Sequence, residues 1–270
     1  MSYNDGMTFL ILFFVFAFGA IIGSFLNVVL LRKNTGESIV HGGSRCFSCG
    51  QSLGSWEMIP ILSFLWQKGK CKNCGSKISW QYIIVESALG FLALAVFCSL
   101  YSIRPAFYGG LTAYGWMLWF FYFAAFAILF LIAVYDFKRQ IIDRHFIYAF
   151  LPFAILEFIK RGNFADDLAS SFLIALFFYL LWLVSSGRWM GRGDTDLAFV
   201  AALFLGFPAN VFMLFLSFWI GAFVGIYLLF FKKDKFALST EIPFGPFMVL
   251  ALFVAWYFGE FALSFMPFVL

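Results

Sequence analysis

The chain has 270 residues, 63% of them hydrophobic and 12% charged, with 42 Phe and a formal net charge of +4. A soluble domain has no interior large enough for that much apolar surface, so the composition points to a polytopic membrane protein. The modest positive balance, with no basic patch interleaved with aromatic residues, gives no reason to expect nucleic acid as a partner; it fits basic loops facing anionic membrane lipid.

A membrane span needs about 20 predominantly apolar residues. Apolar segments are read at 7–31, 82–101, 111–135, 145–159, 169–186, 197–210, 211–231 and 244–268. The fourth and sixth are short, and Pro152 and Pro208 fit kinks or short spans packed inside a bundle. Met1 to Gly6 holds Asp5 and no Lys or Arg, unlike the basic start of a cleaved signal peptide, so the first segment is expected to stay as a span. The 18 Lys and Arg all lie in 32–81, 136–144, 187–196 and 232–243 except Arg104, Lys160 and Arg161. The positive-inside rule then places these basic loops in the cytoplasm and both termini outside. The expected fold is an all-α polytopic membrane protein of about eight transmembrane helices with a small zinc-ribbon-like cytoplasmic loop.

That loop is the one sizeable soluble stretch. Cys46-Phe-Ser-Cys49 and Cys71-Lys-Asn-Cys74 are each followed by a glycine, Gly50 and Gly75. Two such knuckles can present four thiolates tetrahedrally to zinc. A reducing cytoplasm disfavours disulfides, and a core limited chiefly to Ile59, Ile61, Leu62, Phe64 and Leu65 needs the stability a metal would add. Free or redox-active thiols are the other reading. Cys98 lies in an apolar span and reads as a small hydrophobe.

Ionisable groups within membrane spans are costly and mark functional sites. Asp136 closes the third apolar segment, and Asp194 precedes the sixth in Gly191-Arg-Gly-Asp194. Two carboxylates on separate spans can share a proton and activate water, as aspartyl proteases do. The adjoining glycines would permit unusual backbone angles and close approach of a substrate. The alternative is ordinary interfacial acids, with Asp194 and Asp196 capping a helix. Asp143 stays open as a substitute for Asp136, and Glu86 in the second span reads as a structural partner across helices or a participant in group transfer.

These residues resemble the prepilin leader peptidases, bifunctional enzymes of type IV pilus and type II secretion systems. The resemblance rests on Ile22-Gly-Ser-Phe-Leu-Asn-Val-Val29, Gly36-Glu-Ser-Ile39, the double C-x-x-C loop with Ile59-Pro-Ile-Leu-Ser63 between its pairs, Lys77-Ile-Ser-Trp-Gln-Tyr82, Val85-Glu86, the G-x-G-D stretch ending at Asp194, and Ile242-Pro-Phe-Gly-Pro246. It implies cleavage of the basic leader of type IV prepilins or pseudopilins at the cytoplasmic face of the cell inner membrane. It also implies N-methylation of the new terminus from S-adenosylmethionine. The catalytic acids carry over onto Asp136 and Asp194, the metal ligands onto Cys46, Cys49, Cys71 and Cys74, and a pair linked to methyl transfer onto Gly69 and Lys70. The expected organisation is a first transmembrane helix at 1–31, a cytoplasmic double C-x-x-C loop at 32–81, and a transmembrane aspartyl peptidase core at 82–270. The chain departs from the family's usual pattern after Asp136, where the proline is missing, and after Asp194, where Thr195-Asp196 stands in place of Val-Lys. Two competing readings are a zinc-bearing membrane assembly scaffold without catalysis and a proton-coupled transporter; the latter predicts mid-membrane acids, of which Glu86 is the main one.

Overall fold

The computed structural model describes residues 3–102, 112–231 and 243–259. Each apolar segment contains a helix. In chain order these are α1 (Tyr3–Arg32), a 3-10 turn at Ser55–Met58, α2 (Leu62–Trp66), α3 (Gln81–Ser102), α4 (Ala113–Arg139), α5 (Arg144–Arg161), α6 (Phe164–Ser185), α7 (Arg192–Leu205), α8 (Ala209–Phe231) and α9 (Gly245–Tyr257). The described residues contain no strand, only isolated bridges pairing Arg45 with Ser52 and Lys70 with Lys77. Arg104, Asp234, Ile242 and the tail of the last apolar segment lie outside the described residues.

The described residues hold five helices long and apolar enough to cross a membrane: α1, α3, α4, α6 and α8. α9 is apolar but shorter, α7 has 14 residues, and α5 ends in Lys160 and Arg161. Three boundaries differ from the sequence reading. α4 runs past Asp136 to Arg139, so this acid sits inside a helix's last turn instead of closing a span. α7 begins at Arg192, which puts Asp194 within its first turn. Pro208 kinks nothing: it lies in the turn between α7 and α8, after Gly206 (φ +72°) has ended α7.

The chain divides into two compact units, Met1–Phe123 and Ala124–Leu270. In the first, α1 and α3 pack together along a face of small residues. A Cβ on Gly19 would lie 2.5 Å from the Leu89 carbonyl oxygen, and one on Gly23 2.8 Å from the Glu86 Cα. This is the small-xxx-small contact that lets two helix backbones approach in lipid, where packing replaces the hydrophobic effect. Trp119 donates its indole N–H to the Ala93 carbonyl at 3.1 Å, and Phe18 packs on Trp119, Phe120 and Phe123.

In the second unit α7 packs against α5, α6, α8 and α9. Leu197, Ala198, Val200, Ala201, Ala202, Leu203 and Phe204 are all buried. A helix apolar on every side belongs in the interior of a bundle, where it need not match the bilayer's thickness. Its last carbonyls have no partners within the helix. Arg161 supplies them, donating to the Phe204 and Leu203 carbonyls and, at 2.7 Å, to Asp167. Asp167, fully buried, accepts the Phe207 N–H at 2.8 Å with its other oxygen.

Removing one partner of a buried ion pair typically costs about 3–5 kcal/mol, because the other charge is left uncompensated. Arg161→Leu is therefore expected to lower the thermal unfolding midpoint of the purified protein in detergent markedly. An unchanged midpoint would show that the pair does not hold α7.

Candidate active site and cysteine cluster

Asp136 and Asp194 both belong to the second unit. They are 5% and 7% exposed, which takes both carboxylates out of bulk solvent. Each holds one backbone amide from the start of a helix. Asp136 accepts the Gly245 N–H of α9 at 3.1 Å, and Asp194 accepts the Gly191 N–H at 2.9 Å, reaching back over the first turn of α7. The first N–H groups of a helix lack internal partners and lie at the positive end of its dipole, so they favour a negative charge there. The second oxygen of Asp194 is buried with no hydrogen-bond partner among the described residues. The two acids lie close enough for the charge of Asp136 to act on Asp194.

The glycines around this pair serve the approach of chain to chain. Neither Gly191 nor Gly193 adopts a positive φ, so the expectation of unusual angles does not hold for them. A Cβ on Gly193 would lie 2.8 Å from the Ile142 Cβ, in the link between α4 and α5, and one on Gly245 would lie 2.6 Å from Asp136 Oδ2. The Gly-Pro pair at 245–246 was visible in the sequence, but its service to Asp136 was not. A backbone donor 109 positions away in the chain leaves no mark in local pattern.

The other acids have different partners. Asp143 is the N-cap of α5, accepting the His145 backbone N–H at 2.9 Å and meeting its ring Nδ1 at 2.7 Å. Asp196 is partly exposed and pairs with Arg144 at 3.5 Å. The capping role considered for Asp194 is real and coexists with the open oxygen. Glu86, buried in α3, accepts the Ile61 N–H at 2.7 Å. Ile61 has φ +63°, uncommon for a β-branched residue and costing of order 1–3 kcal/mol, so Glu86 holds a strained entry into α2.

In the first unit the two cysteine pairs come together. The Sγ atoms of Cys46, Cys49, Cys71 and Cys74 all lie within 4.8 Å of one another, and Cys46 and Cys74 are 3.8 Å apart. Four thiolates at about 2.3 Å from a tetrahedral zinc would be about 3.8 Å apart, so the cluster has the right size for a metal ion. The knuckles share one hydrogen-bond frame. The Cys46 N–H donates to Gln51 O and the Gly50 N–H to Cys46 O; the Cys71 N–H donates to Ser76 O and the Gly75 N–H to Cys71 O. Gly50 (φ +72°) and Gly75 (φ +71°) take the left-handed turn this frame requires. The Ser76 hydroxyl, followed by the backbone amides of Cys49 and Ser48, brings the Cys46 thiol down to about 6. The same hydroxyl lowers Cys74. Of the apolar residues expected to form the loop's core, only Phe64 is buried, while Leu62 and Leu65 are exposed. Gly69, at φ +67°, passes under the Phe64 ring, and Lys70 beside it is exposed. Cys98 stands apart on α3, half-buried.

Residues 17–100 match the bacterial peptidase A24 N-terminal domain, and residues 123–226 match the type IV leader peptidase family. A Bacillus subtilis protein named prepilin leader peptidase/N-methyltransferase is 31% identical, over 93% of this chain and 96% of its own. The chain belongs to the type IV leader peptidase family. Proteins of the same name from Aeromonas hydrophila and Dichelobacter nodosus are 27% and 29% identical, covering 94% and 92% of this chain and 93% and 92% of theirs. No solved structure matches. Within this leader peptidase, Asp136 and Asp194 are carried by α4 and α7, both inside the second matched region, and the cysteines lie inside the first.

A Cβ forced against backbone or a branched side chain must move the helix, whereas one against a carboxylate can move the carboxylate. Gly193→Ala is therefore expected to destabilise the protein by about 1–3 kcal/mol, as overpacking does, and Gly245→Ala by less. Unfolding midpoints of the two variants, measured side by side in detergent, check this; equal shifts would contradict the packing assigned to Gly193.

Proposed function

We propose that this protein cleaves the leader peptide of type IV prepilins or pseudopilins and N-methylates the terminus so released. The relatives' shared name, prepilin leader peptidase/N-methyltransferase, supports both activities. The single observation that carries the peptidase assignment is the buried pair Asp136 and Asp194, each tethered by one helix-terminal amide, with Asp194 Oδ1 left unpartnered. Capping α7 accounts for one oxygen of Asp194; the second, buried and without a partner, is what a zinc-bearing scaffold without catalysis leaves unexplained.

Two buried carboxylates whose charges act on one another favour the state in which the pair holds one proton. The ionised member accepts a proton from a water molecule, whose oxygen attacks the scissile carbonyl carbon. The protonated member donates to the carbonyl oxygen, giving a neutral tetrahedral diol. Collapse of the diol breaks the C–N bond, with one proton passing to the leaving amine and one returning to the carboxyl pair. The amides of Gly191 and Gly245 orient the acids throughout, and Asp194 Oδ1 stays free to react.

The basic leader lies in the cytoplasm and the apolar pilin stem in the bilayer, which places the cut at the cytoplasmic face of the inner membrane. Cys46, Cys49, Cys71 and Cys74 hold zinc, which supplies structure to a loop with almost no core of its own. S-adenosylmethionine supplies the methyl group, and Gly69 and Lys70 belong to the methyl-transfer part of the chain. The organisation is a first span at 1–31, the cysteine loop at 32–81 and a peptidase core at 82–270.

Asp136→Asn and Asp194→Asn keep shape and polarity but remove the base, so each should abolish prepilin cleavage, read by intact mass, while the protein still inserts. Full activity of Asp136→Asn together with loss in Asp143→Asn would move the first catalytic acid to Asp143. Elemental analysis of protein purified under reducing, chelator-free conditions should find about one zinc per chain; protein without metal would rule the ligand set out. Lys70→Ala should impair methylation of a pre-cleaved pilin more than it impairs cleavage, and equal loss of both would make the loop a shared docking element.

A further inference from the structure

The stretch between the two knuckles has its polarity inside out. Over 55–66 the exposed side chains are Trp56, Met58, Leu62, Leu65 and Trp66, besides Ser55, while the polar Glu57 and Ser63 are more covered. Trp56 and Trp66 are 79% and 83% exposed. Trp80, which packs on Phe64 from the end of the loop, is 68% exposed. Large apolar side chains gathered at a surface mark a place of interaction. They also explain why the loop has almost no core, since the residues able to form one are turned outward.

The height of this stretch is set by α3. Its membrane-spanning part, Gln81–Tyr101, has 21 residues, about 31 Å at 1.5 Å per residue, which matches a hydrocarbon core of ~30 Å. Gln81 therefore lies at one boundary of the bilayer, and Glu86 about 7 Å inside it. A helical side chain leans toward the N-terminus of its helix, here back toward that boundary. The Glu86 carboxylate accepts the Ile61 amide at 2.7 Å, in the turn between Ser55–Met58 and α2. The tether draws Ile61 to the rim of the membrane, and Trp56, Met58, Leu62, Leu65 and Trp66 come with it.

The charges agree with that position. Between 55 and 80 the sequence has four Lys and one acid, Glu57, whose carboxylate is turned back onto the Gly54 amide at 2.8 Å. Tryptophan favours the headgroup level of a bilayer, and lysine its anionic phosphates. A pilin stem or a second copy of this chain would offer apolar contact, but neither calls for the lysine excess or for a tether at the bilayer boundary.

The geometry points to an interfacial anchor: residues 55–66, with Trp80, lie in the headgroup layer of the leaflet from which the loop emerges, their apolar side chains toward the acyl chains. The partner is the lipid surface itself. The two cysteine knuckles, joined by this stretch, are held against the bilayer instead of standing free in water.

The full chain, one copy per nanodisc of phosphatidylcholine and phosphatidylglycerol, tests this through tryptophan emission. The emission lost in a double variant, Trp56→Phe with Trp66→Phe, reports those two positions while keeping an apolar ring at each. Lipid brominated near the headgroup end of its chains should quench that share. Lipid brominated near the chain ends should quench it roughly twofold less, as an apolar face buried ~5–10 Å requires. Quenching by aqueous acrylamide without any effect of bromine would overturn the anchor. Protection from both quenchers would overturn it too, because protein would then cover the rings, and protection gained only on adding a prepilin would make the patch a substrate dock instead. Hydroxyl-radical footprinting of the wild-type chain in the same discs needs no variant. Trp56 and Trp66 should oxidise several-fold less than His41, which is exposed in the same loop; oxidation equal to that of His41 or greater would place them in water and reject the anchor.

Discussion

A backbone amide or carbonyl inside a membrane protein must find its partner within the protein, because lipid offers none. The second unit is arranged around that constraint at the two ends of α7. At the far end, Arg161 and Asp167 supply what Leu203, Phe204 and Phe207 lack. At the near end, the Gly191 amide is satisfied by Asp194 itself. One carboxylate thus closes the helix with one oxygen and leaves the other open. The fold and the proposed chemistry depend on the same residue, and a functional group at a helix start costs little extra because an acid there is wanted in any case.

The same economy recurs at α9. Its first turn needs an acceptor for the Gly245 amide and finds it in Asp136, at the end of α4. Two helices with unfinished starts are completed by two acids. Gly193 and Gly245 are small because the contacts leave no space for a Cβ: Ile142 occupies it at one, and the carboxylate of Asp136 at the other.

Much of this was legible in the sequence. Apolar segments marked every helix longer than one turn or two, and acids bordering such segments stood out because they are expensive there. The C-x-x-C pairs announced their own cluster, since four soft ligands at knuckle spacing have few other uses. What escaped were the boundaries and the distant partners. Asp136 and Asp194 were expected at the edges of spans and lie inside helical turns, since a helix continues while its hydrogen bonds are met, whatever the polarity of its last turn. Arg161 read as one of three basic residues on the less basic side, but it is the cap of a helix packed against its own. Pro208 read as a kink or as the mark of a short span packed inside a bundle; it lies in the turn after α7, which is such a short, buried helix. Gly-Pro at 245–246 and the clash-bearing Ile142 could be tied to the acids only by three-dimensional proximity.

The shared frame of the two cysteine knuckles has one more implication. Identical backbone hydrogen bonds leave the halves free to differ only in the side chains they display. The first knuckle carries Phe47, 77% exposed, between its cysteines, and the second carries Lys72 and Asn73. A near-twofold scaffold therefore shows an aromatic tip on one half and a cationic, hydrogen-bonding tip on the other. Such a body has an up and a down at a bilayer surface: rings favour the headgroup boundary and ammonium groups the water beyond it. The cysteine loop would keep its bearing relative to the membrane by decoration alone, with no change in its architecture.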